Sequence, residues 1–581
     1  MQIAIRDLQA NEIEMALIGA VDLCCETVHQ QAAHAILKKE LPGDAAVVLV
    51  LKRLQDAEKA GETIYGILSQ ELLTKEQSTN KNISLLQMNN QDSPVTRTFG
   101  HAHAASGLLH LAAAVLACHE KLLLTPTMKP LPWLATKPRA IQMTLAALGN
   151  KTVAIQVNEY ASQTMRKSIL TQMNPQLFIY SGADKQEVLK NLKMNHCHSR
   201  GQAKLVLVVQ DAEELLKQQE LAAHCLIQEV TTLPNGIYFH EKPMEGELAF
   251  VFTGALTTYP KMGQKLITHF PQLLNELTKE VQSLSDITNC LYHLEEKNSS
   301  LSMFEELKTY SFLSQVHAEF TQNLLGVKPH ACIGYCSGET NALIALKAWR
   351  DMEALFREVD QSNIYTETLS GKYTVLNNRA KWNAFRVFAE VDFIREAIKT
   401  ENQVRLTIIN SPKDCIIAGD PEACAQFFKK IPEIQAKILP HSMVIHCQEF
   451  HPVSQLWRKL HYRQTYSTKN VRFYSTGSGR SYQANAESAA DALLSQAANQ
   501  VNFPRVIEQA WQDGVRIFLE HGPRHLCSKW INDILGEKKH VAIPLDVMGV
   551  NPLTQSVYAV AQLIAAGVSS INEHIFMSSS S

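Results

Sequence analysis

The chain has 581 residues, which at about 100–200 residues per domain corresponds to roughly three to five domains. Apolar residues make up 45% and charged residues 19%, ordinary globular proportions that exclude a mainly disordered chain. Lys+Arg is 55 and Asp+Glu is 57, a net charge of −2, which argues against a nucleic-acid coat and a polybasic membrane binder. The 12 Cys include no C-x-x-C pair and no zinc spacing, so free thiols in a reducing compartment and no bound metal are expected. Residues 1–20 lack a basic start before an apolar block, so no signal peptide is expected. No apolar run reaches the roughly 18 residues of a bilayer span. A cytoplasmic protein of several α/β domains, with no nucleic-acid partner, is the expectation.

In chain order, residues 14–20 and 45–51 (AAVVLVL) read as short buried strands, the second preceded by turn chemistry at Pro42-Gly43-Asp44. Residues 52–61 read as a helix with a stop at Gly61, and 70–97 as a polar, loop-rich stretch. From Ser106, the spacing of Leu108, Leu109, Leu111, Val115 and Leu116 predicts an apolar helix, ended by Pro126, Pro130 and Pro132. Residues 176–250 alternate: strand 176–180, helix 183–192, strand 205–209, helix 212–227 and, after a turn at Pro234-Asn235-Gly236, strand 247–252. Helices follow to about 325, then a short strand at 331–333. Residues 404–419 read as two strands around Asn410-Ser411-Pro412, followed by a helix at 420–430. Strand 515–519 ends at Glu520-His521-Gly522-Pro523, and the tail 576–581 is expected to fray.

The most informative segment is Gly334-Tyr335-Cys336-Ser337-Gly338-Glu339, between that short strand and an apolar helical stretch. It has the form G-x-Nu-x-G with Cys336 in the nucleophile position. A tight strand-to-helix turn presents the nucleophile, and the glycines two before and two after let strand and helix approach. A thiol there lies at a helix N-terminus, which favours the thiolate, and the Ser337 N–H faces a developing oxyanion. A small buried thiol in an ordinary turn is the alternative. Ser337 is the rival nucleophile; one position off the elbow, its side chain is expected to face elsewhere. The base is one of His441, His446, His451 or His521.

With these residues assembled, 247–545 resembles the malonyl/acyl-CoA transacylase domain of fatty acid and polyketide synthases. Phe252-Thr253-Gly254-Ala255 with Met262-Gly263 resembles that family's opening loop, and Gly334–Glu339 its G-H-S-x-G-E. Asn410-Ser411-Pro412 with Gly419, His446-Cys447-Gln448 and Phe518–Pro523 resemble its later motifs in the same order. Residues 1–160 resemble part of a β-ketoacyl synthase through 14–22, 42–54 and the Gly100-His101 to Ser106-Gly107 stretch. The order of truncated synthase, linker and transacylase resembles the B-type subunit of bacterial polyunsaturated fatty acid synthases. Residues 246–263 and 362–371 carry that closer likeness.

The resemblance implies a multidomain α/β protein. A partial thiolase-like ketosynthase region (1–160) precedes a small α/β linker subdomain (161–245). An α/β-hydrolase-like acyltransferase core (246–545) with an inserted ferredoxin-like subdomain (about 375–445) follows, then a C-terminal linker or tail (546–581). It implies catalysis by Cys336 and His446, an oxyanion hole from Ala255 and Ser337, elbow glycines Gly334 and Gly338, and acyl-pocket positions at Tyr335, Gln361 and Ser362. The substrate it implies is an acyl thioester of coenzyme A or of a phosphopantetheine arm, with no bound cofactor. Acyl carrier protein domains and other synthase subunits are the implied partners. Cys336 stands where the family has Ser, and Tyr335 where it has His. The Arg that pairs a malonyl carboxylate about 25 residues after the nucleophile falls at Gln361 or Ser362, which points to an uncharged acyl group. Of the synthase's catalytic positions only His101 remains, as a vestige, so that region is expected to be inactive. Another chain completing the truncated layer is a further expected partner. A scaffold role in the synthase complex and an acyl thioesterase are the alternative functions.

Overall fold

The computed structural model describes residues 1–581 except 24–25, 38–40, 70–82, 88–92, 125–130, 134–137, 148–150, 161–174, 275–276, 278–286, 288–300, 371, 376–377, 469, 570, 573–574 and 577–581. Two compact units emerge: Met1–Leu170 with Ile267–Thr288, and Thr171–Leu266 with Asn289–Ser581. Among the described residues no helix is long and apolar enough to cross a membrane.

In the first unit, strands Met15–Asp22 and Ala45–Lys52 pair antiparallel as a two-stranded ribbon. A four-stranded sheet runs in the order Ile67–Ser69, Lys151–Asn158, Ala140–Ala147, Ile83–Gln87. Helix Ser106–Glu120 covers it, burying Leu111, Ala114, Ala117 and Cys118 against Ile141, Met143, Ile155 and Val157. Three expectations are corrected here. The ribbon strands are not buried: Met15, Leu17, Val21, Val48 and Val50 are exposed on one face, because both faces of these strands are apolar and only one is packed. The loop-rich stretch holds strand Ile83–Gln87, recruited by a parallel ladder with Ala140–Ala147, and helix Pro94–Phe99. The apolar helix stops at Glu120 on a left-handed Lys121 (φ 55°), before any proline; Pro126 and Pro130 lie outside the described residues.

The second unit is built on a six-stranded sheet. Its order is Arg480–Tyr482, Arg472–Ser475, Ala331–Gly334, Glu247–Phe252, Val515–His521, Val541–Pro544. All neighbours are parallel except the Arg480–Tyr482 edge. Chain order reverses at Glu247–Phe252, whose next strand lies on one side and a much later strand on the other. Such a switch point opens a crevice at the carboxyl ends of the strands. Parallel strands buried on both faces need continuous apolar runs, and ELAFVF and ACIG supply them.

A second sheet takes its strands from Asn383–Phe388, Val404–Ser411, Asp414–Gly419 and Gln435–Ile438, with helices Val391–Ile398 and Pro421–Lys430. Its order is Gln435–Ile438, Asn383–Phe388, Asp414–Gly419, Val404–Ser411, then Val501–Asn502. A third sheet sets Gln176–Gly182, Ala203–Val209 and Ile237–His240 antiparallel, with helices Lys185–Lys193 and Ala212–Ile227. Residues 546–581 are not simply a tail: helix Pro552–Ala565 buries Val557, Val560, Leu563 and Ile564, and Phe576 is fully buried, its carbonyl accepting from Leu177 N–H. That apolar stripe is long enough to need covering, which ties it to the body.

A polar chain fastens the second sheet to the core. Tyr335 donates its hydroxyl to Asn410 Oδ1 (2.6 Å), and Asn410 Nδ2 donates to Asp414 Oδ1 (2.9 Å). Asp414 also accepts from Trp530 Nε1 (2.9 Å) and from the Arg386 guanidinium (Nε to Oδ1, 3.0 Å). Asp414→Ala takes this partner from the buried Asn410 amide and Trp530 N–H and from the half-buried Arg386 guanidinium, and chemical denaturation should show a loss of about 3 kcal/mol.

Candidate active site

The elbow follows from close approach. All four residues of Ala331–Gly334 are buried, and Tyr335 N–H donates to Phe252 O (2.9 Å), extending the parallel pairing one residue past the strand. The chain then turns through Cys336 at φ 53°, a left-handed conformation unusual for a side chain other than glycine or asparagine. Helix Gly338–Ala345 starts at once, with Gly338 N–H bonding to Tyr335 O and Glu339 N–H to Cys336 O. A Cβ on Gly334 would lie 2.1 Å from Glu339 N, and one on Gly338 would lie 2.2 Å from Phe252 O. Only glycine fits at either position.

The structure brings His446 to this turn. Its Nε2 lies 3.1 Å from Cys336 Sγ, and its Nδ1 lies 2.5 Å from Gln496 O. A carbonyl only accepts, so Nδ1 carries the proton and Nε2 turns a lone pair toward the thiol. His446 N–H donates to Ala497 O (2.6 Å), and the residue sits at φ 63°, so the loop is pinned on both sides of the ring. The other three histidines are not brought to Cys336. His441 is half-buried and His451 exposed. His521 is buried, with Nε2 on Thr321 Oγ1 (3.0 Å), Nδ1 on Leu519 O (2.9 Å) and its ring stacked on Phe252.

Burial sets the electrostatics. It pushes the Cys336 thiol up to about 11, opposed by hydrogen bonds from the Ser337 N–H and hydroxyl. It pushes His446 down to about 4, opposed by the Gln496 carbonyl. The resting pair is therefore neutral thiol and neutral imidazole.

Ser337 departs from expectation. Its side chain does not face away: Ala255 N–H donates to Ser337 Oγ at 3.2 Å. Ser337 caps the helix with nearly helical φ, so its side chain shares the Cys336 end of the helix. Tyr335 turns its ring into the core, 5.5 Å from Phe503 and 4.9 Å from Trp530 between centroids. Gln361 ends helix Met352–Gln361 and is exposed, and Ser362 donates its hydroxyl to Val359 O. Tyr365, three residues on, is the group of this segment whose phenol is raised by burial and, further, by Tyr310 and Cys336. His101 belongs to the other unit, its ring 5.1 Å from that of His103. Among the described residues no His/Cys/Asp/Glu group is arranged to hold a metal.

Three contributors went unread. Tyr310, on helix Met303–Glu319, is 1% exposed, and burial pushes its phenol well above its ordinary value, opposed by the nearby Ser337 hydroxyl. Gln496 contributes a main-chain oxygen, which carries no sequence signal. Glu339 adjoins the motif, and its Oε1 accepts from Thr476 N–H (2.7 Å) and Oγ1 (2.6 Å), while Oε2 has no partner. Burial raises the Glu339 carboxyl from 4.5 to about 8, so it is largely protonated at neutral pH. The folded state binds this proton more tightly than the unfolded chain, so its stabilising contribution is full below about 4.5 and is lost as pH rises through about 8. Glu339→Gln keeps the acceptor for Thr476 and has no such proton. Thermal melts across that interval should show the wild type losing several degrees relative to the variant.

No protein-family model matches the chain. It is 24% identical over 401 residues to a polyunsaturated fatty acid synthase polypeptide of Thraustochytrium sp., covering 62% of this chain and 19% of that protein. It is 22% identical over 311 residues to the non-reducing polyketide synthase terA of Aspergillus terreus, covering 50% of this chain and 14% of that one. The chain thus spans less than a fifth of the length of these relatives. Among solved structures, the acyltransferase domain from module 8 of the salinomycin polyketide synthase superposes with a TM-score of 0.56 at 15% identity, covering 70% of this chain and 98% of that domain. The acyl transferase domain of SpnD, in complex with 2-(pent-4-yn-1-yl)malonyl, gives 0.54 at 15% identity, covering 68% and 96%. The chain therefore contains the fold of a polyketide synthase acyltransferase domain.

Proposed function

We propose that this chain is a transacylase of polyunsaturated fatty acid or polyketide-type synthesis, moving an acyl group between coenzyme A and carrier-protein thioesters. The observation that carries the reading is the 3.1 Å contact between Cys336 Sγ and His446 Nε2 at the elbow of an acyltransferase fold. Cys336 attacks the thioester carbonyl while His446 Nε2 takes the thiol proton. The new C–S bond leaves charge on the carbonyl oxygen, which the N–H groups of Ser337 and Ala255 receive. Collapse breaks the donor C–S bond, and the departing thiolate takes the proton from His446. An acceptor thiol then repeats the sequence in reverse, giving ping-pong kinetics. The acyl-enzyme is itself a thioester, close in energy to donor and acceptor, so transfer between thiols runs in either direction.

Finer readings belong to the same proposal. The βαββαβ order of Asn383–Ile438 supports a ferredoxin-like subdomain inserted in the acyltransferase core. We read the acyl group as uncharged, since the exposed Gln361 and the inward-bonded Ser362 offer no cation to a carboxylate. The 1–160 region is read as an inactive ketosynthase-like layer with His101 as its vestige, and carrier-protein domains and other synthase subunits are the partners. The exposed apolar face of the Met15–Asp22 and Ala45–Lys52 ribbon suits a contact with a further chain completing that layer.

Incubation with labelled acyl-CoA should give protein-bound label released by neutral hydroxylamine. Cys336→Ala should abolish it, and His446→Ala should slow its formation by about a hundredfold or more. Equal labelling of the Cys336 variant overturns the nucleophile. Label transferred to a carrier-protein thiol marks a transferase, whereas free acid as the main product marks a thioesterase. No labelling by any acyl donor, with assembly into the synthase intact, leaves a scaffold. Malonyl-CoA labelling faster than butyryl-CoA would overturn the uncharged acyl group.

A further inference from the structure

The loop that carries Ala255 leaves the sheet at the end of strand Glu247–Phe252. Its first residue still follows the sheet, since Thr253 N–H donates to His521 O (3.1 Å). Gly254 then passes so near Tyr335 that a Cβ would lie 2.9 Å from the Tyr335 carbonyl oxygen. Beyond Ala255 the chain turns through Leu256 at φ 64°, a left-handed conformation that a leucine keeps only when its neighbours are held. The next three residues are each tied down. Thr257 donates its hydroxyl to Gly254 O (2.9 Å), closing the turn across Ala255 and Leu256, and its carbonyl accepts from Arg524 Nε (2.9 Å). Thr258 donates its hydroxyl to Glu306 Oε1 on helix Met303–Glu319, and Arg524 Nη2 reaches its carbonyl at 3.4 Å. Tyr259 donates its hydroxyl to the Asp546 carboxylate (2.6 Å).

We propose that Arg524 is a positioning residue for the Ala255 N–H, holding the turn that aims this donor at the thioester carbonyl. The inference rests on the transacylase reading. Glu306 and Asp546 grip side chains, whereas Arg524 grips the main chain itself, on two successive carbonyls just past Ala255. A guanidinium presents its donors in one rigid plane, so the two carbonyls it binds keep a fixed relation to each other. Arg524 is itself held: it sits at φ 67°, and its own N–H donates to Asp546 Oδ2 (2.7 Å). Asp546 is fully buried, and it joins the Arg524 backbone to the Tyr259 hydroxyl, so the loop and its clamp share one anchor. The bond from Ala255 N–H to Ser337 Oγ, at 3.2 Å, is long for its type, which leaves the turn to set the direction of the N–H. A donor in an oxyanion hole is effective only within a narrow geometry, and a displacement of about 1 Å removes most of its effect.

Iodoacetamide alkylates Cys336 without forming an oxyanion, whereas acylation by an acyl-CoA forms one, so the two reactions separate the parts of the site. The acyl donor is the fastest of a labelled acetyl- to palmitoyl-CoA series. Arg524→Ala should lower the saturating rate of Cys336 acylation about a hundredfold. The donor concentration at half-rate and the alkylation rate should each stay within about threefold of the wild type. Ethylguanidinium added to Arg524→Ala should return about tenfold in acylation rate and leave the wild type unmoved. Arg524→Lys keeps the charge without the planar fork; it serves where Arg524→Ala does not fold, and should show the same split with a loss of about tenfold. Acylation undiminished in both variants overturns the inference. So does alkylation slowed in step with acylation, which marks a general disturbance of the site, and so does a change in half-rate concentration alone, which marks Arg524 as a substrate contact. Wild-type protein that takes no label from any donor of the series overturns the transacylase reading and this inference together. Label in the wild type, with no split in the variants, overturns the role of Arg524 alone.

Discussion

The approach of one helix to one strand governs this molecule. Helix Gly338–Ala345 lies so near strand Glu247–Phe252 that a methyl group at Gly338 would collide with the Phe252 carbonyl. That closeness forces the chain to reverse within a few residues of Gly334, and the reversal lifts Cys336 out of the sheet at its carboxyl end. The chain order switches beside Glu247–Phe252, the position at which open α/β sheets form their crevices. His446 arrives from a distant loop only because Gln496 and Ala497 bind its ring and its main chain together.

Desolvation is the second governing condition: Cys336 is half-buried and His446 fully so. Burial pushes the thiol and the imidazole in opposite directions, so each prefers its neutral form. Glu339, a carboxyl close to the thiol, is neutralised by the same burial. Had it been ionised at neutral pH, its field would have opposed thiolate formation further. The side chain that reaches the sulfur, His446 at 3.1 Å, is itself neutral.

The sequence made some of this legible. Strand Glu247–Phe252 and helix Ala212–Ile227 have the bounds their residues imply, since an apolar run buried on both faces and an Asp211 cap accepting from Glu214 N–H are local signals. The elbow was legible because steric demand fixes its glycines. The ribbon was misread because its strands are apolar on both faces, and composition does not say which face finds a neighbour. Strand Ile83–Gln87 depends on a ladder with residues far along the chain, and helix Pro552–Ala565 lies where no motif directed attention. His446 could be separated from His441, His451 and His521 by resemblance alone, because its partner is a main-chain oxygen. The direction of the Ser337 side chain was set by the first helical turn, which spacing rules left open.

A thiol kept protonated by its surroundings also behaves differently toward oxidants. Peroxide attacks the thiolate, and sulfenic acid formation tracks thiolate character and access. Cys336, whose thiol is pushed up to about 11, holds little thiolate at neutral pH and should be a slow target for peroxide even though it sits at the mouth of a helix dipole. The surroundings that make this thiol slow to ionise should thus also slow its oxidation.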